Sequence, residues 1–391
     1  MNKVVLFCVP IICLAILSSC SDSPTSVGKD IVKRDLVGVN KIDSYTDSLS
    51  QTSSYYKNVE APGLSSTFLI GKADNVEAKT LISFDISLPD SLISDITAGS
   101  FTVTNAIVQF RKNYVFGDSL GKLDFSGYEC TSGWTSAGFS ADSLSSLTYN
   151  STNVISNITP TDTTITFNID KQLVTNWLTH AAVGDSVNNK GIFIDPSSSS
   201  QKIVGYESQF YGNIYPPQLS VVIQISSSYA DTLILGGYDG VSVVVGNLPN
   251  VNSHDLVVQG GLTARTKLKF DLSKVPNNVI LNNVELVLKL DSLATIIGSD
   301  SSNTIVALKA TADTANNAYD TTQAVILTRN GNTIAGNVTS YVQQWLKGNN
   351  YGFILAPNYE TGNTDLFSIY GSNYSVHSAR PRLTIYYTYK K

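Results

Sequence analysis

The chain has 391 residues, with 26 Lys and Arg against 31 Asp and Glu, so its formal charge is −5 and only 15% of it is charged. A mildly acidic chain does not hold a polyanion by bulk charge, which argues against nucleic acid as a partner. Four Cys and three His give little material for a disulfide framework or a Cys-based metal centre.

The first element is a leader. MNKVVLFCVPIICLAILSSC opens with one Lys, runs apolar from Val4 to Leu17 and ends in Ser18, Ser19 and Cys20. The apolar run is too short for a comfortable membrane span and has the form of a signal peptide over residues 1–19. LSSC resembles a bacterial lipobox, which makes Cys20 the first mature residue, acylated at sulfur and amine. Several acyl chains anchor stably where a single chain does not. Loss of the leader removes the single positive charge of Lys3 and takes the formal charge from −5 to −6. It also removes Cys8 and Cys13, which leaves Cys130 as the one free thiol, read as a small buried hydrophobe. Residues 20–40 are polar and without period, a tether that lifts the rest from the membrane.

The remainder folds onto itself as a repeat. KTLISFDIS (79–87) corresponds to RTKLKFDLS (265–273), with Phe84 on Phe270 and Asp85 on Asp271. TNAIVQFRK (104–112) corresponds to LNNVELVLK (281–289). NWLTHAAVGDSVNNKGIFIDP (176–196) corresponds to QWLKGNNYGFILAP (344–357), with Trp177 on Trp345. YESQFYGNIYPPQLSVVI (206–223) corresponds to YGSNYSVHSARPRLTIYY (370–387), with Tyr206 on Tyr370. Four landmarks in one order indicate duplication. The Ser-rich stretch at 225–232 is the seam, dividing residues 41–226 from residues 230–391.

Each copy reads as many short strands. In NVELVLKLD, Val284, Leu286, Leu288 and Leu290 alternate with Glu285, Val287 and Lys289, the period of a half-buried strand. Turn clusters such as GGYDG and RNGN separate the runs. Numerous strands with little helical signal make the fold class all-β, a two-sheet sandwich in each copy. One short helix is expected per copy. In the second, Thr339 is the expected N-cap, Val338, Val342, Trp345 and Leu346 the apolar stripe, and Gly348 the left-handed stop. In the first, Asp170 caps and Leu173, Val174, Trp177, Leu178 and Ala181 form the stripe. Helices this short need docking, so Trp177 and Trp345 are read as anchors that close one end of each sandwich. Stacking on a sugar is the other use of such a Trp.

The order FDLS … NNVELVL … VTSYVQQWLKGNNYGFIL … ARPRLTIYY resembles the DNRLRE-type domain, as two copies over nearly the whole mature chain, with about 235–389 the better match. The resemblance implies two tandem jelly-roll β-sandwich domains of a secreted or surface bacterial protein, related to modules that recognise alginate and similar acidic polysaccharides. The first copy departs from it: Lys79 stands where the second has Arg265, Gln218 where it has Arg382, and the loop THAAVGDSVNNK is expanded.

No HExxH, nucleophile elbow or phosphate loop accompanies His180, His254 or His377, so no catalytic residue is assigned. Binding residues are proposed instead. Trp134, Tyr211 and Tyr215 in the first copy, and Tyr370 and Tyr374 in the second, are candidates to stack on sugar faces. Arg265, Lys267, Lys269 and Arg380 are candidates to hold a uronate. Residues 265, 267 and 269 share one strand face, so three cations line up. The Asp-bearing loops GSDSSN (298–303) and ADNVE (73–77) offer oxygen ligands for a structural Ca2+, or are ordinary polar turns. The expected protein is a non-catalytic, lipid-anchored component of the bacterial cell envelope at the outer membrane, binding acidic polysaccharide. A structural or adhesive module contacting surface proteins is the alternative. A polysaccharide lyase or hydrolase, with clustered His, Tyr and Arg, is a third.

Overall fold

The computed structural model describes residues 38–58, 65–185, 189–210, 212–226, 229–299, 303–313 and 318–390. The leader, Cys20, most of the tether, Tyr211 and the middle of GSDSSN lie outside the described residues.

The first part of the chain forms β1 (Asn40–Asp43), β2 (Gln51–Lys57), β3 (Thr67–Ala73), β4 (Val76–Phe84), helix α1 (Asp90–Thr97), β5 (Thr102–Gly117) and β6 (Phe125–Cys130). Then follow β7 (Tyr149–Asn153), β8 (Ile155–Pro160), β9 (Thr164–Ile169), helix α2 (Lys171–Ala182), β10 (Ile192–Pro196), β11 (Lys202–Glu207), β12 (Gln218–Ser226) and β13 (Tyr229–Gly246). The rest forms β14 (Asp255–Gln259), β15 (Ala264–Phe270), β16 (Val279–Lys289), β17 (Thr304–Ala310), β18 (Tyr319–Asn330), β19 (Thr333–Asn337), helix α3 (Thr339–Trp345), β20 (Phe353–Pro357), β21 (Leu366–Tyr370) and β22 (Arg382–Tyr389). The fold is all-β, built of two large curled antiparallel sheets. Each wraps its own core. One core gathers Phe68, Phe84, Phe110, Phe167, Trp177 and Tyr206, the other Leu268, Phe270, Leu286, Tyr341, Trp345 and Phe353. Alternation drives this arrangement: inward residues such as Val284, Leu286 and Leu288 are fully buried, and Glu285 between them is exposed.

The strands cross the expected seam in both directions. β1 and β2, from the start of the chain, pair with β22 and β15 of the second sheet. β13, which follows the seam, pairs with β12 and β4 of the first. The two crossings are equivalent. Gln51 lies opposite Phe270, and Gly237 lies opposite the matching Phe84. Each copy therefore gives its opening strands to the other. At the junction the Tyr114 hydroxyl donates to Asp365 Oδ1 at 2.8 Å and accepts from the Thr364 N–H at 3.1 Å.

The repeat register slips by one at Tyr206. Tyr206 is in the first core and lies opposite Phe68, but the matching pair in the second is Ile369 opposite Leu256. Tyr370 thus points away from the core.

The helices follow the expected stripes with three differences. Asp170 caps α2, accepting from the Leu173 N–H at 3.0 Å, and Leu173, Val174, Trp177 and Leu178 are buried. Thr339, however, does not cap α3. Its hydroxyl accepts from the Val284 N–H of β16 at 2.7 Å, so it ties the helix to the sheet. Gly348 is not left-handed, whereas Gly184 after α2 is, at φ 78°. Helix α1 is an addition that the repeat does not contain; Leu92 and Ile96 pack it into the first core beside α2. Both indoles are buried, Trp177 at 2% and Trp345 at 6% exposure.

Candidate functional site

β15 carries Arg265, Lys267 and Lys269 on one face because Thr266, Leu268 and Phe270, which alternate with them, are buried on the other. The exchanged strand β2 lies alongside. Opposite Arg265, Lys267 and Lys269 stand Tyr56, Ser54 and Thr52, so a row of side chains from the chain's N-terminal segment faces the basic row. A cavity of about 360 Å3 is lined by Thr52, Ser53, Ser54, Lys267, Lys269 and Asp313. It shares Thr52 and Lys269 with a cavity of about 470 Å3 that runs past Gln51, Asp271, Asn350 and the edge of Trp345. The two make one groove whose walls carry hydroxyls, amides, two ammonium groups and the carboxylates of Asp271 and Asp313.

The basic row is not uniform. Arg265 is 2% exposed. Its Nε and Nη2 donate to the two oxygens of Glu360 at 2.6 and 2.7 Å, and its Nη1 to the Tyr319 hydroxyl at 2.8 Å. The Tyr319 ring lies 4.9 Å from the guanidinium carbon. A bidentate pair of this kind, closed over by an aromatic ring, holds structure and leaves the guanidinium no room for a ligand. This corrects the expectation of three available cations. The matching Lys79 is also neutralised, by Asp195 at 2.5 Å and Glu77 at 2.7 Å. Burial pulls its pKa down, but those two acids outweigh burial and raise it. The ion pair at this position is thus common to both copies.

Lys267 and Lys269 remain in the groove. The Lys267 ammonium donates to the carbonyls of Ala312, at 3.1 Å, and Asp313. Lys269 meets the Asp313 carboxylate at 3.0 Å, with Asp313 mostly exposed. An exposed pair of this type is worth about 0–1 kcal/mol, so an incoming carboxylate competes with Asp313 on nearly equal terms.

The other proposed residues fall elsewhere. Tyr370 and Tyr374 stack on each other with centroids 4.2 Å apart, and Arg380 Nε donates to the Tyr374 carbonyl at 2.7 Å. This cluster adjoins the groove through β2, where Ser53 Oγ donates to Ser372 Oγ at 2.8 Å. Because the two rings cover each other, they leave fewer faces for a sugar. Tyr215 is 50% exposed, but the Arg111 guanidinium lies 3.9 Å from its ring centre. Trp134 is half-buried over a small apolar cluster with Cys130, and its N–H donates to the Lys190 carbonyl at 2.7 Å. Burial pushes the Cys130 thiol up to about 12. The ADNVE loop is the turn between β3 and β4: Asn75 Nδ2 donates to the Asn247 carbonyl at 2.7 Å and to Gln259 Oε1 of β14 in the second sheet at 3.1 Å.

The three His stand on separate elements. His180 faces Asp185 at 3.3 Å, His377 packs on Tyr45, and His254 precedes β14. A second cleft of about 550 Å3 lies between the two sheets, with Asn113, Asn358, Asn363 and the exposed Tyr359 in its wall.

Thr52, Ser53 and Ser54 on β2 are groove residues that sequence reasoning missed. QTSSYYK has no apolar alternation to mark it as a strand, and nothing in it names the partner strand, which starts 207 positions later at Ala264 opposite Lys57. Compared with protein-family models, with curated proteins and with solved structures, the chain matches none.

Proposed function

We propose that this protein binds an acidic polysaccharide, without cleaving it, in the groove between β2 and β15. The observation that carries this reading is the row of Lys267 and Lys269 set against the hydroxyls of Ser54 and Thr52 on the exchanged strand. Ammonium groups one strand repeat apart suit carboxylates on successive sugars, and hydroxyl and amide walls suit sugar hydroxyls. The leader and Cys20 support display from a bacterial envelope membrane through acyl chains. Among the described residues no helix is long and apolar enough to cross a membrane.

Affinity electrophoresis through gels containing a polyuronate tests the proposal. The wild-type chain is retarded, and retardation weakens as salt is raised. Lys267→Ala/Lys269→Ala lowers the affinity about tenfold, the effect of about 1.4 kcal/mol. Equal mobility in polyuronate and blank gels contradicts the proposal.

A further inference from the structure

Asp255 opens β14 and is 2% exposed. One carboxylate oxygen, Oδ2, accepts from Ser368 Oγ at 3.0 Å. The other, Oδ1, is buried with no hydrogen-bond partner. Beside it is a second acid, Asp291, 7% exposed, whose Oδ1 accepts from the Leu293 N–H at 2.9 Å. Asn252 lies between the two: its Nδ2 is 3.1 Å from Asp291 Oδ2 and 3.5 Å from Asp255 Oδ2. Among the described residues no Lys or Arg is salt-bridged to either acid.

Two buried carboxylates with no basic partner are unstable as a doubly charged pair. They share a proton or hold a cation. The fold does not demand acids here. In the first sheet the matching ladder position is Thr67, one residue before Phe68 as Asp255 is one before Leu256. There Asn113 Nδ2 donates to Thr67 Oγ1 at 3.1 Å, a neutral pair that closes the same corner. The acids are therefore particular to the second copy.

We propose that Asp255 and Asp291 bind one Ca2+ ion, with Asn252 as a third oxygen donor. Every donor is a hard oxygen. The site sits where loops meet a strand end, and Ca2+ tolerates the irregular geometry of such places better than Mg2+. Asn252 is exposed, which gives the ion access. Turning its amide end for end presents Oδ1 to the ion in place of Nδ2, and the two orientations have the same shape. The site differs from both loops singled out in the sequence, ADNVE and GSDSSN.

Titration calorimetry of the EDTA-treated chain with CaCl2, together with thermal melts, tests this. The wild type is expected to bind one Ca2+ and to gain about 3 °C or more in Tm at saturation. Asp255→Asn and Asp291→Asn each lose the heat and the shift, while Asp74→Asn in the ADNVE turn keeps both. If Asp255→Asn does not fold, Asp291→Asn and the wild-type titration decide. No heat and no shift in the wild type overturns the proposal, and a Tm that then rises as pH is lowered from 8 to 5 assigns the pair a shared proton. Heat that persists in a folded Asp255→Asn or Asp291→Asn chain also overturns it, by placing the ion elsewhere.

Discussion

Asp43 and Arg382, 339 positions apart, are joined by hydrogen bonds from Nε to both carboxylate oxygens at 3.0 and 3.1 Å and by a further one from Nη2. The pair fastens the first strand of the chain to the last. Asp43 is 1% exposed, and Lys41 adds a second cation at 3.0 Å. Burial by itself pushes the Asp43 carboxyl up, but the hydrogen bonds from Arg382, Tyr45 N–H and Lys41 outweigh it and hold the group well below the usual carboxylate range.

Replacing Asp43 by Ala is expected to destabilise the chain by roughly 2 kcal/mol, because it removes a buried carboxylate that accepts from Arg382, Lys41 and the Tyr45 N–H, while the Arg382 side chain, 38% exposed, is partly resolvated. Urea unfolding at neutral pH measures this. The pH dependence has a definite sign. A depressed carboxyl stabilises above its unfolded pKa, and that stability is lost as pH falls through the folded value. The gap between wild type and Asp43→Ala is therefore full at pH 6, narrows below about pH 4 and closes further as acid is added.

The exchange of strands predicts which half suffers from a truncation. A chain that lacks residues 38–58 loses β1 and β2, both paired in the second sheet. Amide exchange is expected to quicken along β15 and β22, while β4 and β12, held by β13, stay protected. Loss of protection confined to β3 and β4 would assign β2 to the first sheet.

Arg265 and Glu360 are expected to act on stability. Arg265→Gln leaves the partly buried Glu360 carboxylate facing an amide and costs roughly 2 kcal/mol. Arg265→Met combined with Glu360→Met removes both charges and recovers part of that loss. A double-mutant cycle from chemical denaturation gives the coupling.

Gly191 and Gly352 occupy matching positions before β10 and β20, at φ 73° and 85°. An added Cβ would run into the carbonyls of Ile82 and Leu268. Asn189 and Asn350 brace the two turns alike, each donating from Nδ2 to a Phe carbonyl, Phe84 or Phe270, at 2.7 Å. Ala at either glycine is expected to lower stability by about 2 kcal/mol or more, since left-handed strain and a backbone clash add. Thermal melts of the two single variants check this, and similar losses are expected in each.

These particulars show what the sequence reveals and what it leaves hidden. Strand existence, the duplicated landmarks and the α2 cap follow from local chemistry: Asp170 sits three residues before the Leu173 N–H that it accepts. Thr339 has the same local credentials, but a strand 55 positions away takes its hydroxyl, and no local rule sees that. Helix α1 escaped because only Leu92 and Ile96 mark its buried side. Alternation placed Arg265 on the face of Lys267 and Lys269, but Glu360 and Tyr319, 95 and 54 positions away, decide that its guanidinium is closed off. The groove itself depends on which strand lies beside β15, and pairing is a tertiary fact that alternation does not specify.

The groove is tested most directly by hydrogen exchange with and without a polyuronate. Added ligand is expected to slow exchange in residues 51–57 and 264–273 together, while the matching segment 76–84 of the first copy is unchanged. Protection elsewhere with none in those two stretches, or no change anywhere at saturating ligand, would contradict it.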